Sequence, residues 1–300
     1  MDKSRRKRRQ QARPSLYEKS VLDNWLTLPF TQSIKEVVTA LKRQAIEVPN
    51  ISPSILNFFA QTYCSTDQEL GHKLLFKLQH QQLGADEYLE CITTEKRIPL
   101  KPLINHDLLN AFMWLSLPKT RYICAQEMVK AQSLRLKEQP KRRSKLEDRL
   151  TLFDESGIAI FSCNPQLLQL IRDRQWKTLF WEERNKVHQE LDMWIVGHGL
   201  YEQLIQPFVG LVAYGRLYEL TTPTYQKLQK SKNKHKKQLY YDSLIAEDLR
   251  YSGLIQQLPL HAVPLLGYPS WYPQTSSESF YHNTRYFRGP YPHANQNSSE

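Results

Sequence analysis

The run INHDLLNAFMWLSLP, residues 104–118, constrains the fold more than any other stretch of the chain. Read as a helix closed by Pro118, it leaves no wide wet face: Leu108, Leu109, Ala111, Phe112, Met113, Trp114 and Leu115 cover almost every side. A helix that is apolar all round belongs inside, wrapped by other elements. Yet its first turns carry His106, Asp107 and Asn110. A buried polar group without a partner costs about 1–3 kcal/mol, so these three must be met by groups from elsewhere in the chain. Positions four apart share a helix face, so His106 and Asn110 project together, with Asp107 roughly a quarter turn away. Asn105 is expected to cap this helix, and Asp107 to favour its positive end.

Three hundred residues with 40% hydrophobic content, 16 Tyr, 11 Phe and 6 Trp supply ample core. Ten glycines, and no G-x-G-x-x-G or G-x-x-x-x-G-K-[ST] run, exclude the common nucleotide cradles. Cys64, Cys91, Cys124 and Cys163 form no C-x-x-C pair, so reduced thiols are expected rather than a disulfide frame or zinc knuckle. No apolar run approaches the roughly 18–20 residues of a membrane span. SRRKRR near the start is followed by the polar QQARPSLYEKS, not by the apolar stretch an export signal needs. A soluble, cytoplasmic protein without membrane contact is the expectation.

The formal net charge is +11, and it is unevenly placed. The first thirteen residues hold seven Lys or Arg and one Asp, a net of +6, which leaves +5 for the remainder. Residues 1–13 therefore read as a disordered basic arm, 14–290 as one globular domain, and 291–300 as a disordered tail. The arm (Arg5, Arg6, Lys7, Arg8, Arg9) and a basic run read as an exposed loop (Lys232, Lys234, Lys236, Lys237) are candidates for non-specific contact with RNA or DNA.

The segment from Pro14 to Pro29 carries spaced apolar residues able to tie the entrance of the chain to the core. Ile34, Val37, Val38 and Leu41 have helical spacing, with Ser33 the expected cap and Glu36 at the capping-box position. Helices are also expected over SPSILNFFAQTY, GHKLLFKLQHQQ, TRYICAQEMVKAQSLRLKEQ and PQLLQLIRDRQWKTLFWEERNKVHQEL. KRRSKLEDRL reads as a charged connector. LTLFDESGIAIFS reads as a β-hairpin near 151–161, with Gly157 supplying a positive φ. DMWIV and VGLVAYGRLYEL read as strands, and a short helix is expected from near Gly197 to Pro207. The last sixty residues, rich in Pro, Tyr and Trp, should wrap the body as ordered irregular chain. The sum is an α+β fold, predominantly helical, with a few short strands.

Four constellations carry potential chemistry. The first is His106, Asp107 and Asn110. The second is VGHGLYEQ, where His198 and Glu202 are four apart and would share one helix face, a usable metal-ligand or acid–base pair. The third is Asp154 and Glu155, either of which could stand beside the two histidines. The fourth is the C-terminal run with Trp271, Arg285 and Arg288, where the arginines could grip an anion in forked fashion.

The motifs NHDLLNAFMWLSLPKTR, LTLFDESGIAI, GHGLYEQLIQP and VPLLGYPSWYP…FYHNTRYFR occur in this order along the chain. Together they resemble a proteobacterial family of unknown function, the domain-of-unknown-function family numbered 3025, from about Pro14 to Arg288. The resemblance implies a bacterial protein, and it carries His106, Asp107, Asn110, Asp154, Glu155, His198 and Glu202 over unchanged. The family's first motif resembles W-H-D-x-x-N-A-L-x-W-L-x-x-P-x-T-K; here Asn105 and Arg121 stand at the aromatic and lysine positions. Its F-Y-D-D tail is here Phe280-Tyr281-His282-Asn283, so acidic chemistry is not expected at the last two positions.

The functional expectation is a site built from His106, Asp107, Asn110, Asp154, Glu155, His198 and Glu202. In it His106, His198 and Glu202 would hold Zn²⁺, Mn²⁺ or Fe²⁺ for hydrolysis of an anionic substrate gripped by Arg285, Arg288 and Trp271. Two alternatives stand beside it. One is a non-enzymatic nucleic-acid- or ribosome-associated protein using its basic segments. The other is a buried polar network with no catalysis.

Overall fold

In the computed structural model, residues 14–44, 51–63, 75–79, 83–101, 104–138 and 142–290 are described. The expected basic arm, 1–13, and tail, 291–300, lie outside them. The helices are α1 (Lys19–Leu26), α2 (Gln32–Arg43), α3 (Pro53–Tyr63), α4 (Ala85–Thr93), α5 (Asn105–Ser116), α6 (Pro118–Glu138), α7 (Lys145–Ser156), α8 (Pro165–Arg172), α9 (Arg184–Glu190), α10 (His198–Gln203), α11 (Thr222–Lys230) and α12 (Lys234–Leu254). The strands are β1 (Leu75–Leu78), β2 (Arg97–Leu100), β3 (Gly157–Ser162), β4 (Leu191–Ile195), β5 (Val212–Glu219) and β6 (His261–Pro264). The protein is a predominantly helical α+β fold.

A four-stranded sheet of order β4-β3-β5-β6 organises the core, and β1 and β2 form a separate parallel pair. GIAIFS and LDMWI are buried at every position, the continuous pattern of strands covered on both faces. β3 runs antiparallel to β4 and parallel to β5, and β5 runs antiparallel to β6. The unbroken apolar run of α5 has the predicted consequence: Leu108 to Ser116 are all buried. Helices α2, α6 and α10 pack around α5, and α6 lies along α12.

Several local expectations give way to tertiary demands. Asn105 does not cap α5; its amide accepts from Leu16 N at 2.8 Å and donates to Pro14 O at 2.9 Å, tying down the entrance segment. Ser33 lies inside α2, where its hydroxyl reaches Ile195 O at 2.9 Å and the phenol of Tyr201. A buried acceptor on β4 outweighs a local cap there.

The hairpin expected near 151–161 is replaced by a helix running straight into a strand. Leu146, Leu150 and Phe153 form one apolar helix face, and Ser144 with Glu147 closes a capping box at the start of α7, inside the run read as a connector. Gly157 has φ −79°, not a positive value, and the partner of β3 is β4, some thirty residues later. The basic run expected to be a loop is a helical hairpin, α11–α12. Its link ends at Asn233, whose side chain caps α12 by accepting from Lys236 N.

Of the last sixty residues, 241–254 are the helical end of α12 and not irregular chain, because Tyr241, Ile245 and Leu249 form a buried helical face. From 255 to 290 the chain is ordered and, apart from β6 and short 3-10 turns, irregular as expected. Tyr281 donates to Gly267 O at 3.0 Å and Tyr286 to Leu211 O at 2.8 Å, and Trp176 donates to Arg288 O at 2.7 Å. Each aromatic anchor thus buries a ring and satisfies a backbone carbonyl. No helix among the described residues is long and apolar enough to cross a membrane.

Candidate metal centre

The antiparallel register of β3 and β4 builds the site. Ile158 pairs with Ile195, so the residues just before β3 and just after β4 emerge at one end of the sheet. The former are Asp154 and Glu155, at the end of α7; the latter lead into His198, at the start of α10. The N–H groups of Val196 and Gly197 both donate to Gly157 O at 2.9 Å, pinning the two junctions together. The first turn of α5 supplies His106 from the side, and α6 supplies Arg121 from behind.

The imidazoles of His106 and His198 meet with ring centroids 4.5 Å apart and Nε2 atoms 3.1 Å apart. On the far side of each ring, Nδ1 has an oxygen partner. His106 Nδ1 lies 3.1 Å from Glu202 Oε2, and His198 Nδ1 lies 3.1 Å from the main-chain oxygen of Asp154. Glu155 Oε1 stands 3.6 Å from His198 Nε2. His106, Glu155 and His198 each offer a ligand atom, and all three atoms lie within 4.8 Å of one another.

Arg121 forms the floor. Its side chain is 3% exposed and pairs with the Asp154 carboxylate. Nη1 also lies 3.3 Å from His198 Nδ1, and Nη2 donates to Asn110 Oδ1 at 2.6 Å. Asn110 in turn donates to Tyr88 OH at 2.9 Å. The buried amide of α5 thus has both partners that its position demands.

These surroundings set the protonation of the two rings in opposite directions. The Glu202 hydrogen bond raises the pKa of His106 above the usual imidazole value, against its partial burial. Burial, reinforced by the charges of Arg121 and His106, holds His198 well below that value. Burial raises the carboxyls of Glu155 and Asp154, and the charge of Asp154 pushes Glu155 further up. His198 is 5% exposed, whereas the side chains of His106, Glu155 and Glu202 are 39%, 44% and 29% exposed, so the cluster opens to solvent on one side.

Of the residues expected from sequence, the fold brings together His106, Asn110, Asp154, Glu155, His198 and Glu202. Asp107 lies at the rim, where it accepts from Lys101 N at 3.4 Å, and burial raises its carboxyl. The expected metal set changes in one member. Glu202 is engaged by Nδ1 of His106, and Glu155 occupies the third position beside the two Nε2 atoms. Trp271 is packed against Phe30 and Tyr268, and Arg285 and Arg288 are exposed on the C-terminal segment. None of these three is among the groups gathered at the histidines.

Arg5, Arg6, Lys7, Arg8 and Arg9 lie outside the described residues. Lys232, Lys234 and Lys236 are exposed, but Lys237 is 5% exposed and turned inward, paired with Asp192 at 2.5 Å. Its expected role in a surface contact is therefore corrected. Sequence reasoning missed Arg121 and Tyr88; the one mark on Arg121 was its place at the lysine position of the resembled pattern.

A family model described as "Protein of unknown function (DUF3025)" matches residues 74–290, most of the chain and all of the cluster. The chain belongs to that family. No curated protein and no solved structure matches it.

Proposed function

We propose that this member of the DUF3025 family is a metal-dependent hydrolase-like protein whose centre is held by His106, His198 and Glu155. The observation that carries this reading is the pair of Nε2 atoms facing each other at 3.1 Å while both Nδ1 atoms are engaged by oxygen. A carboxylate on one ring and a carbonyl on the other favour Nδ1–H tautomers, which leaves two unprotonated Nε2 atoms close together and within 4.8 Å of a Glu155 carboxylate oxygen. Two nitrogens bound at about 2.0–2.1 Å to one ion and 3.1 Å apart subtend about 100° at it, a normal coordination angle. Two imidazoles and one carboxylate suit Zn²⁺, Mn²⁺ or Fe²⁺ with positions left open for water and substrate.

A bound divalent ion would supply water of lowered pKa. The chain's own part is to orient the ligands. Glu202 and the Asp154 carbonyl fix the ring rotations, Arg121 neutralises the Asp154 carboxylate, and the solvent-open side admits substrate. An arginine clamp on an anionic substrate is no part of the reading, because Arg285 and Arg288 stand elsewhere.

Metal analysis of the purified protein tests this. About one equivalent of a divalent ion is expected, lost in His106→Ala, His198→Ala and Glu155→Ala while circular dichroism stays unchanged. Folded wild type that neither contains metal nor gains thermal stability from added Zn²⁺, Mn²⁺ or Fe²⁺ would overturn it.

One observation favours a second reading, a metal-free proton relay. Arg121 Nη1 is a permanent donor 3.3 Å from His198 Nδ1. If that nitrogen accepts, His198 carries its proton on Nε2 and donates to His106, which donates to Glu202. In that case activity would survive chelation, and the two histidine variants would still abolish it.

A further inference from the structure

We propose that the α11–α12 hairpin is a docking surface for the phosphate backbone of nucleic acid. From Leu220 to Tyr241 the chain contains no Asp or Glu and six lysines. Five of them, Lys227, Lys230, Lys232, Lys234 and Lys236, are exposed. None of the five makes an ion pair among the described residues. They occupy the end of one helix, the link, and the first turn of the next, so they crowd onto one tip of the molecule. The charge of Glu36 acts on His235, which lies between Lys234 and Lys236.

The tip is held rigidly. Lys237, the sixth lysine, points inward to Asp192 at 2.5 Å and donates to Gln229 Oε1 at 2.9 Å. Gln229 also donates to Asp192 Oδ2 at 3.3 Å. One buried carboxylate on β4 thus fastens both helices of the hairpin, α11 through Gln229 and α12 through Lys237. Asn233 fixes the turn by capping α12. A fixed array of ammonium groups can neutralise several phosphates at once, and the cations condensed on the nucleic acid are then released with a gain in free energy.

The partner's class follows from what accompanies the lysines. Between Thr221 and Leu239 no large apolar side chain is exposed, so the tip offers nothing to insert into an anionic membrane. Between Thr221 and Leu239 there is no arginine and no exposed aromatic to read bases, and the exposed Tyr240 follows farther along α12, so the contact at the tip is with phosphates and not sequence-specific. This surface is independent of the histidine cluster.

Fluorescence anisotropy with the full chain, a labelled 20-nucleotide RNA and a labelled DNA duplex tests the proposal at 50 and 200 mM salt. Five phosphate contacts predict a loss of affinity of roughly 10²–10³-fold across that range. The variant Lys227→Glu/Lys230→Glu/Lys232→Glu/Lys234→Glu should bind at least tenfold more weakly at 50 mM salt and show a shallower salt dependence, with metal content unchanged. Equal binding by this variant and wild type, or binding abolished only by deletion of residues 1–13, overturns the assignment to the hairpin. So does stronger binding to phosphatidylserine vesicles than to either nucleic acid.

Discussion

Gly199 faces the carboxylate of Glu155 so closely that a Cβ there would run into Oε2. With no side chain at this point the carboxylate of Glu155 can lie against the backbone of α10, and that close approach sets Glu155 beside His198. Gly199 does not have positive φ, so alanine is compatible with its dihedrals; its Cβ would stand 3.0 Å from Glu155 O, a tight contact offset by up to about 1 kcal/mol of helix propensity. Gly199→Ala should therefore fold, with a Tm within a few degrees of wild type. It should displace Glu155 and bind metal about ten- to a hundredfold more weakly, the range seen when a supporting contact is lost. Isothermal titration with Zn²⁺, set beside a thermal melt, separates the two effects. Unchanged affinity in the alanine variant would remove Glu155 from the ligand set.

The Arg121–Asp154 pair is asymmetric, and the asymmetry is measurable. Arg121 is 3% exposed whereas Asp154 is 29% exposed. Asp154→Ala leaves a guanidinium buried without its counter-charge and should cost about 3–5 kcal/mol. Arg121→Met leaves a carboxylate that water can reach, together with an Asn110 oxygen lacking its donor, and should cost less, about 1–3 kcal/mol. Urea unfolding of the two variants checks the order. The reverse order would mean that the charge of Arg121 is balanced by groups other than Asp154.

Protons and metal compete for the same rings. With no metal bound, the raised pKa of His106 means that its pairing with Glu202 stabilises the fold fully below the ordinary imidazole value of about 6.5. That contribution is lost as pH rises through the raised value. Metal binding has the opposite sign, since the ion needs the unprotonated ring: retention should fall as pH drops through the pKa of His106. Glu202→Gln removes the carboxylate that raises it. The pH of half-release should then move down, while affinity at high pH weakens through the poorer orientation of the ring. A midpoint that stays in place would show that His106 is not the group being protonated.

Which parts of this architecture a reader of the sequence can see depends on how local their cause is. Helix α5 is legible because its burial is written in one unbroken apolar run. The sequence allows His106 to meet His198, since His106 shares a helix face with Asn110 and His198 with Glu202, but their meeting depends on the β3–β4 register. The stretch 151–161 misleads because LTLF and IAIF are both β-prone around DESG. The signal for a helix there sits upstream, in Ser144 and Glu147, within a run whose charges suggest a connector. Glu202 shares a face with His198, and spacing alone makes it a ligand. Only the approach of α5 shows that its carboxylate is taken by the other side of His106. Arg121 carries no local mark of its role, because its burial comes from α7 and α10 closing over it.

Asp192 and Lys237 make the last prediction, away from the histidines. The carboxylate is 7% exposed and receives bonds from Gln32, Trp194, Tyr241 and Gln229 as well as from the ammonium. Burial pushes its pKa up, but the Lys237 charge and these donors more than offset it, so the group stays below the usual carboxylate value. Its contribution to stability is therefore present above the unfolded pKa of about 3.9 and is lost as pH falls through the lower folded value. Asp192→Asn at pH 7 strands the buried ammonium and should cost about 3–5 kcal/mol. Asp192→Asn/Lys237→Met strands neither charge and should recover part of that loss, since the uncompensated buried ammonium is gone. Denaturant melts at pH 7 and pH 3 test both steps, and the single variant should resemble wild type more closely at pH 3 than at pH 7. A double variant no more stable than the single would show that Lys237 holds the hairpin through its packed stem and not through its charge.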